Sequence, residues 1–469
     1  MRRVAGQLGE EVSGSEMTLG IPTHGVLMVT YHYPPSMEMG GQTCAQIARH
    51  LPLYGWRPTV LTVKERYGEL VGDALDQESP GCVVRTGMLP HPLTLYRSFK
   101  SRLHWGHNSA GGGGKDSENR GRLRRWLLSL LLVGDGYTGW LLPAGLAGLR
   151  VARGAGVQHL LSSGPPWTSH LVGLLLSRIT GLPWTAHFRD PWIQGAQSKP
   201  MSLVSMRIDT ALERIVMKRA TSVVCVTDRH TEILKRAYSD LAPGKFVTIP
   251  NGFDGEEWEN IEAESDLDSE LATEFTITYT GQLYHARNPR PLFQALRILV
   301  DAGHIDQNRV RVELIGWCDL AEGRQVSDIA EDFRMRDCIT MRGPLARREA
   351  LRALTRSNLL LLLAEGMTLQ IPGKTYEYLR AGRPILALTT EGALTDLLRS
   401  TGGASVVAPQ DVAGIAAVVR EAYQNWKAGY ARGATKVSIS QFDRRILAGR
   451  FAELFTRNVS PTDVAAALR

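Results

Sequence analysis

The apolar residues of this chain fall into short continuous runs, and each run leads through a glycine- or proline-bearing loop into a stretch with helical spacing. Residues 25–31 (GVLMVTY) form the first run and read as a strand buried on both faces. A loop punctuated by Pro34-Pro35 and Gly40-Gly41 follows. Over residues 42–53, Ala45, Ile47, Ala48 and Leu51 recur at helical spacing, with Gly55 and Pro58 as stop signals. Residues 59–63 (TVLTV) are the next strand. Strand, loop, helix, strand is the βαβ unit of a parallel sheet. The same order recurs at 157–163, a helix over 169–180 and a strand ending near Phe188, and again at 223–227. A second series starts at 275–280 (FTITYT), with a helix over 291–302 and strands at 311–316, 359–364 and 384–388.

The pattern predicts an α/β protein of two Rossmann-like, doubly wound domains facing across a cleft. The expected division is a tail over 1–20, a first domain over 21–255 with a flexible insertion at 106–125, and an acidic connector over 256–274. A second domain over 275–440 follows, then C-terminal helices over 441–469 that pack back on the first domain. A length of 469 residues, 43% hydrophobic and 22% charged, suits two such cores.

Charge and cysteines narrow the picture. Fifty-four Lys+Arg against 47 Asp+Glu, a net +7, favours anionic ligands without specifying nucleic acid, and no nucleic-acid partner is expected. Cys44, Cys82, Cys225, Cys318 and Cys338 are scattered and never in CxxC spacing, which argues against a disulfide framework or a zinc cluster and for a reducing cytoplasm. The apolar runs at 126–133 and 359–364 fall far short of the roughly 20 residues of a membrane helix. Arg120, Arg122, Arg124 and Arg125 lead into the run at 126–133. That stretch reads either as a core helix or as one resting on the anionic inner face of a membrane.

Neither GxGxxG nor GxxxxGK[ST] follows an opening strand; Gly40-Gly41 and Gly281-Gln282 stand there instead, where small residues admit a diphosphate to a helix N-terminus or simply make a tight turn. Residues 365–384 (EGMTLQIPGKTYEYLRAGRP) begin at a strand's carboxyl end and continue into a helix over 374–381. A Lys there can meet a phosphate and a carboxylate can accept from ribose hydroxyls, although Lys374 and Glu377 are also an ordinary i, i+3 pair.

Glu377 to Pro384 (EYLRAGRP) resembles the Glu-x-x-x-x-Gly-x-Pro donor-site helix of retaining glycosyltransferases of family 4, in the branch used for exopolysaccharide and antigen assembly. Thr280-Gly281-Gln282-Leu283-Tyr284 with Arg287-Asn288-Pro289, Leu314-Ile315-Gly316, and residues 339–345 resemble that family's other donor-domain strand ends. Tyr33-Pro34-Pro35, Ser163-Gly164-Pro165-Pro166 with His170, Phe188-Arg189-Asp190-Pro191-Trp192 and Ile249-Pro250-Asn251-Gly252 resemble its front half.

The resemblance implies the GT-B fold and transfer of a sugar from a UDP- or GDP-linked donor to a glycan or lipid-linked acceptor, with no cofactor and no metal. It implies that Glu377 holds the ribose, that Lys374, Arg287 and Gln282 hold the diphosphate, that Gly281 and Gly316 line the donor loops, and that Arg342, Gly343 and Leu345 border the base. Gly40 and Gly41 approach the sugar and diphosphate from the other lobe, and Asp190, Arg189 and His170 are the catalytic candidates there. Two departures stand out. Glu365 and Glu377 lie twelve apart where the family's paired glutamates are separated by seven residues, and Arg189 stands where the family has a histidine. An epimerase or hydrolase on the same frame, and a degenerate binding scaffold, are the rival readings.

Overall fold

A computed structural model describes residues 24–36, 38–67, 82–90, 135–154, 156–194, 203–265, 273–284, 287–430 and 436–459. The expected tail, the low-complexity part of the insertion, the stretch 120–133 and Asp266-Leu267-Asp268 lie outside the described residues. Two parallel sheets carry the chain. The first contains β1 (His24–Thr30), β2 (Trp56–Val63), β3 (Cys82–Thr86), β4 (Val157–Gly164), β5 (Trp184–Phe188), β6 (Ser222–Cys225) and β7 (Phe246–Thr248), in the order β3-β2-β1-β4-β5-β6-β7. The second contains β8 (Phe275–Thr280) and β9 (Val310–Ile315); a small antiparallel pair, β10 (Leu320–Ala321) and β11 (Arg324–Gln325), branches off before it resumes. Its remaining strands are β12 (Ile339–Met341), β13 (Leu359–Leu363), β14 (Ile385–Leu388) and β15 (Ala404–Val407), in the order β12-β9-β8-β13-β14-β15.

The expected doubly wound α/β architecture is the one observed. The central strands are uniformly apolar because helices cover both sides: all five leucines of β13 are buried, and so are all five residues of β5. In each sheet the first strand lies inside, with later strands added to one side and then the other, so that β1 separates β2 from β4 and β8 separates β9 from β13. Such a reversal opens a crevice at the carboxyl ends of the two neighbouring strands.

The lobes are joined by two adjacent crossings. Phe253 N–H donates to Phe442 C=O at 3.1 Å and Arg444 N–H to Phe253 C=O at 3.0 Å, so outgoing and returning chain run side by side. Within the acidic connector, Gly255–Ser265 is a helix that buries Trp258 and Ile261 in the second lobe's core while Glu256 stays exposed. The returning helix, Arg444–Asn458, lays Leu447, Phe451 and Phe455 against Val26, Ile47, Trp56 and Val60 of the first lobe. A Cβ at Gly449 would meet the Tyr54 ring at 2.8 Å, so a larger residue there would push that partly exposed ring aside.

Among the described residues the first lobe buries five imidazoles: His50, His159, His170, His187 and His230. His159 stacks on Phe455 at 4.5 Å and bonds Thr185 Oγ1 at 2.9 Å; His187 meets Phe451 edge-on at 5.3 Å and bonds Ser163 Oγ at 3.2 Å. Burial pushes His159 and His187 down to about 3 and His230 down to about 4, and it drives His170 well below its usual value. These groups are neutral in the folded chain and take up protons only on unfolding. Their contribution is therefore whole above the unfolded value of 6.5 and declines as pH falls from there toward the folded values. Each costs about 1.4 kcal/mol of stability per pH unit in that window. The melting temperature should thus drop steeply between roughly pH 6.5 and 4.5, and His159→Gln should remove about one proton from the pH slope of the unfolding free energy in denaturant titrations.

Candidate active site

The richest chemistry lies at the switch point of the second sheet, between β8 and β13. β8 ends at Thr280, and the chain turns at Gly281 with φ +118°, a conformation that favours glycine. β13 is followed by a loop over 364–373 and then by the helix Lys374–Ala381, stopped by Gly382 in the left-handed region. Sheet order therefore brings the first residue of that helix beside the end of β8. Lys374 Nζ donates to Thr280 C=O and sits 3.7 Å from the centroid of the Tyr279 ring. A side chain on Gly281 would come within 3.0 Å of Nζ.

Arg287 lies at the same place, 9% exposed, its guanidinium 4.1 Å from the Tyr284 ring centroid and 3.7 Å from Met367 Sδ. Loss of water pushes the Lys374 ammonium well below its usual value, and the Arg287 charge pushes it further the same way. Two like charges crowded in a half-dry crevice are strained until an anion joins them.

Glu377, one turn along the helix, is 12% exposed and holds Arg347 Nη1 at 2.9 Å through Oε1. Arg347 Nε in turn takes both oxygens of Glu257, on the connector helix, at 2.8 and 2.9 Å. The flanking carboxylates raise the Arg347 value even against its burial, the largest single influence. The carboxylate at the expected ribose position is thus fixed by an ion-pair chain running to the lobe junction, a connection the sequence pattern did not reveal.

Gln282 is exposed and contributes its backbone, with its C=O accepting from Tyr279 Oη at 2.9 Å. Gly316, φ +113°, packs so tightly that a Cβ would lie 2.3 Å from Gly281 C=O. Gly316 N–H donates to Gly343 C=O at 2.7 Å, which ties the ends of β9 and β12 together. Arg342 is committed to Glu313 at 2.9 Å, and Leu345 is half-buried beyond it. Glu365 does not pair with Glu377; it accepts from Gln410 Nε2 at 2.8 Å and lines a cavity of about 280 Å³ with Asn288, Arg290 and Glu322.

In the first lobe the switch point between β1 and β4 is filled differently from expectation. Gly40 and Gly41 lie in the first turn of the helix Met39–His50. A Cβ on Gly40 would sit 1.1 Å from Arg189 Nη1, and Arg189 Nη2 donates to Pro165 C=O, so the guanidinium covers the glycine that was expected to meet the donor. Gly41 packs on the chain itself, its Cβ position 3.0 Å from Tyr33 N. His170 is fully buried, with Nδ1 on Ser162 Oγ at 2.8 Å and its ring stacked on Phe188 at 4.4 Å. It is a packing residue and not a cleft residue, because its helix turns it under the β4–β5 ends.

Asp190 does reach the cleft. Its Oδ1 accepts from Gln370 Nε2, on the loop between β13 and Lys374. Beside that contact, Thr227 Oγ1 donates to Leu369 C=O at 2.8 Å, and Arg229 grips Asp396 at 2.5 and 2.9 Å. The carboxyl ends of the two sheets thus face one another, bridged by the loop whose length separates Glu365 from Glu377. That unusual spacing was the sequence signal that could have pointed to Gln370. Among the described residues no helix is long and apolar enough to cross a membrane.

Comparison with known proteins fits this geometry. Residues 274–425 match the family model described as Glycosyl transferases group 1. No curated protein sequence matches the chain. The fold is similar to that of sucrose-phosphate synthase from Thermosynechococcus elongatus, at TM-score 0.62 and 14% identity over 92% of this chain and 98% of that one. It is also similar to Anabaena HepE in complex with UDP-glucose (0.58, 14%, 92% and 99%) and to a trehalose 6-phosphate synthase from Burkholderia multivorans (0.56, 12%, 95% and 98%). The chain has the GT-B fold of glycosyltransferases, and its second lobe is the part that the family model matches.

Proposed function

We propose that the protein is a glycosyltransferase that moves a sugar from a UDP- or GDP-linked donor to a glycan or lipid-linked acceptor, with retention at the anomeric carbon and without a metal, in cell-surface polysaccharide or glycoconjugate assembly. The observation that carries this reading is the crowding of Lys374 and Arg287 at the β8–β13 switch point. The anomeric C–O bond of the donor breaks and the departing diphosphate gains negative charge there. Arg287, together with Lys374 once the bound diphosphate restores its proton, stabilises that charge more in the transition state than in the ground state. The acceptor hydroxyl attacks from the face the phosphate leaves and passes its proton to the departing phosphate oxygen. Asp190, held by Gln370, orients that hydroxyl, and Glu377 accepts from the ribose hydroxyls.

A thermal-shift panel of UDP- and GDP-sugars tests the donor class, since a ligand bound by the folded state raises the melting temperature by mass action. A panel in which every member leaves the melt unchanged overturns the proposal. Glu377→Gln keeps the side chain's shape and should weaken the selected donor roughly 10- to 100-fold, the worth of a charged hydrogen bond. Anion binding should return the ammonium of Lys374 toward its ordinary value. Calorimetry above neutral pH, in buffers of differing ionisation enthalpy, should therefore register proton uptake with UDP or GDP, and Lys374→Met should abolish it. Gln370→Ala should raise the KM for acceptor several-fold and leave donor affinity within a factor of about two, because the amide touches Asp190 and not the diphosphate cations.

A further inference from the structure

The turn after β9 carries an indole that the packing does not explain. Trp317 is 64% exposed, the one exposed tryptophan among the described residues, although large aromatic rings are the most costly side chains to leave in water. Its backbone is nonetheless locked. Leu283 N–H donates to Trp317 C=O at 3.0 Å, Gly316 N–H before it is held by Gly343, and Cys318 N–H after it turns back to Gly316 C=O at 2.9 Å. Cys318 Sγ also meets Gly281 C=O at 3.2 Å, on the same turn that faces Lys374. A rigid main chain thus presents an exposed ring next to Gly316, which packs on the turn that borders Lys374, and beside the end of β12.

The other side chains on that ledge offer little to a base. Arg342 is paired with Glu313 and Leu345 is half-buried, while Met341 on β12 and Leu320 on β10 are 41% and 51% exposed apolar side chains. We propose that Trp317 is the platform on which the nucleobase of the donor stacks, so that the site grips the base by its face and not by side-chain hydrogen bonds to its edge. This rests on the nucleotide-sugar reading above and adds to it the residue that holds the base. A fixed aromatic platform loses little conformational freedom on binding, and a face-on grip accepts both purines and pyrimidines.

The test uses the full chain and three probes, UDP, GDP and inorganic pyrophosphate, titrated calorimetrically into the wild type, Trp317→Ala and Trp317→Phe. Stacking on an aromatic side chain is worth about 1–3 kcal/mol per base by alanine substitution, so Trp317→Ala should weaken UDP and GDP about 5- to 150-fold. Pyrophosphate, which has no base, should keep its affinity within about twofold, and Trp317→Phe should recover most of the nucleotide affinity. Unchanged UDP and GDP affinity in Trp317→Ala overturns the platform while the diphosphate site stands. Equal losses for pyrophosphate and nucleotides overturn it too, by making the ring a structural support of the turn. A wild type that binds neither nucleotide removes the donor reading and the platform with it.

Discussion

Everything at the cleft depends on the paired crossing of the chain between lobes. Phe253 and the segment Phe442–Arg444 bond to one another through their backbones, and the helix that returns from the crossing buries Phe451 and Phe455 in the first lobe. The outgoing strand leads straight into a helix whose Trp258 is buried in the second lobe. Each lobe is thus anchored on its own side of one narrow junction. With the junction set, the carboxyl ends of the two sheets face each other, and loops far apart in sequence meet: Gln370 with Asp190, Leu369 with Thr227, Asp396 with Arg229.

The same junction is wired to the donor side. Glu257 belongs to the helix that starts at the crossing, and it grips the arginine that holds Glu377. Arg444, at the start of the returning helix, lies within the field of the same groups, and burial depresses its value before the Arg347 charge adds to the effect. The Glu377 carboxylate is in this way tied to the lobe junction by partly buried charged groups, where such interactions are stronger than at the open surface. On the other side of the helix N-terminus, Lys374 and Arg287 repel one another. Burial and the Arg287 charge thus weigh against the Lys374 ammonium a short distance from a carboxylate held in place.

Much of the fold was legible along the chain. β8 and the helix Lys374–Ala381 run where the apolar pattern put them, because a strand covered on both faces is a continuous apolar run and a helix closed by Gly382 carries its own stop signal. The edge strands were less visible. β3 alternates little and is exposed at its first residue, and β7 has three residues, too few for any period to register. At the site, Gly281, Arg287, Lys374 and Asp190 lie at the strand ends where the motifs put them. His170 and Gly40 do not serve the cleft as expected: the one is packed under Phe188, the other covered by Arg189.

The sequence by itself determined which segments would be buried strands, where their loops would open, and which charges stood at the strand ends. These are local matters, since a strand's burial and a turn's backbone are written within a few neighbouring residues. Which partner each of those charges would find was decided only in three dimensions. Lys374 meets a carbonyl 94 residues away and Gln370 a carboxylate 180 residues away, because sheet order and the double crossing bring them together. No period along the chain encodes such a meeting. The exposed face of Trp317 is of the same kind: its identity is in the sequence, but only the packing of three strand ends leaves its indole exposed.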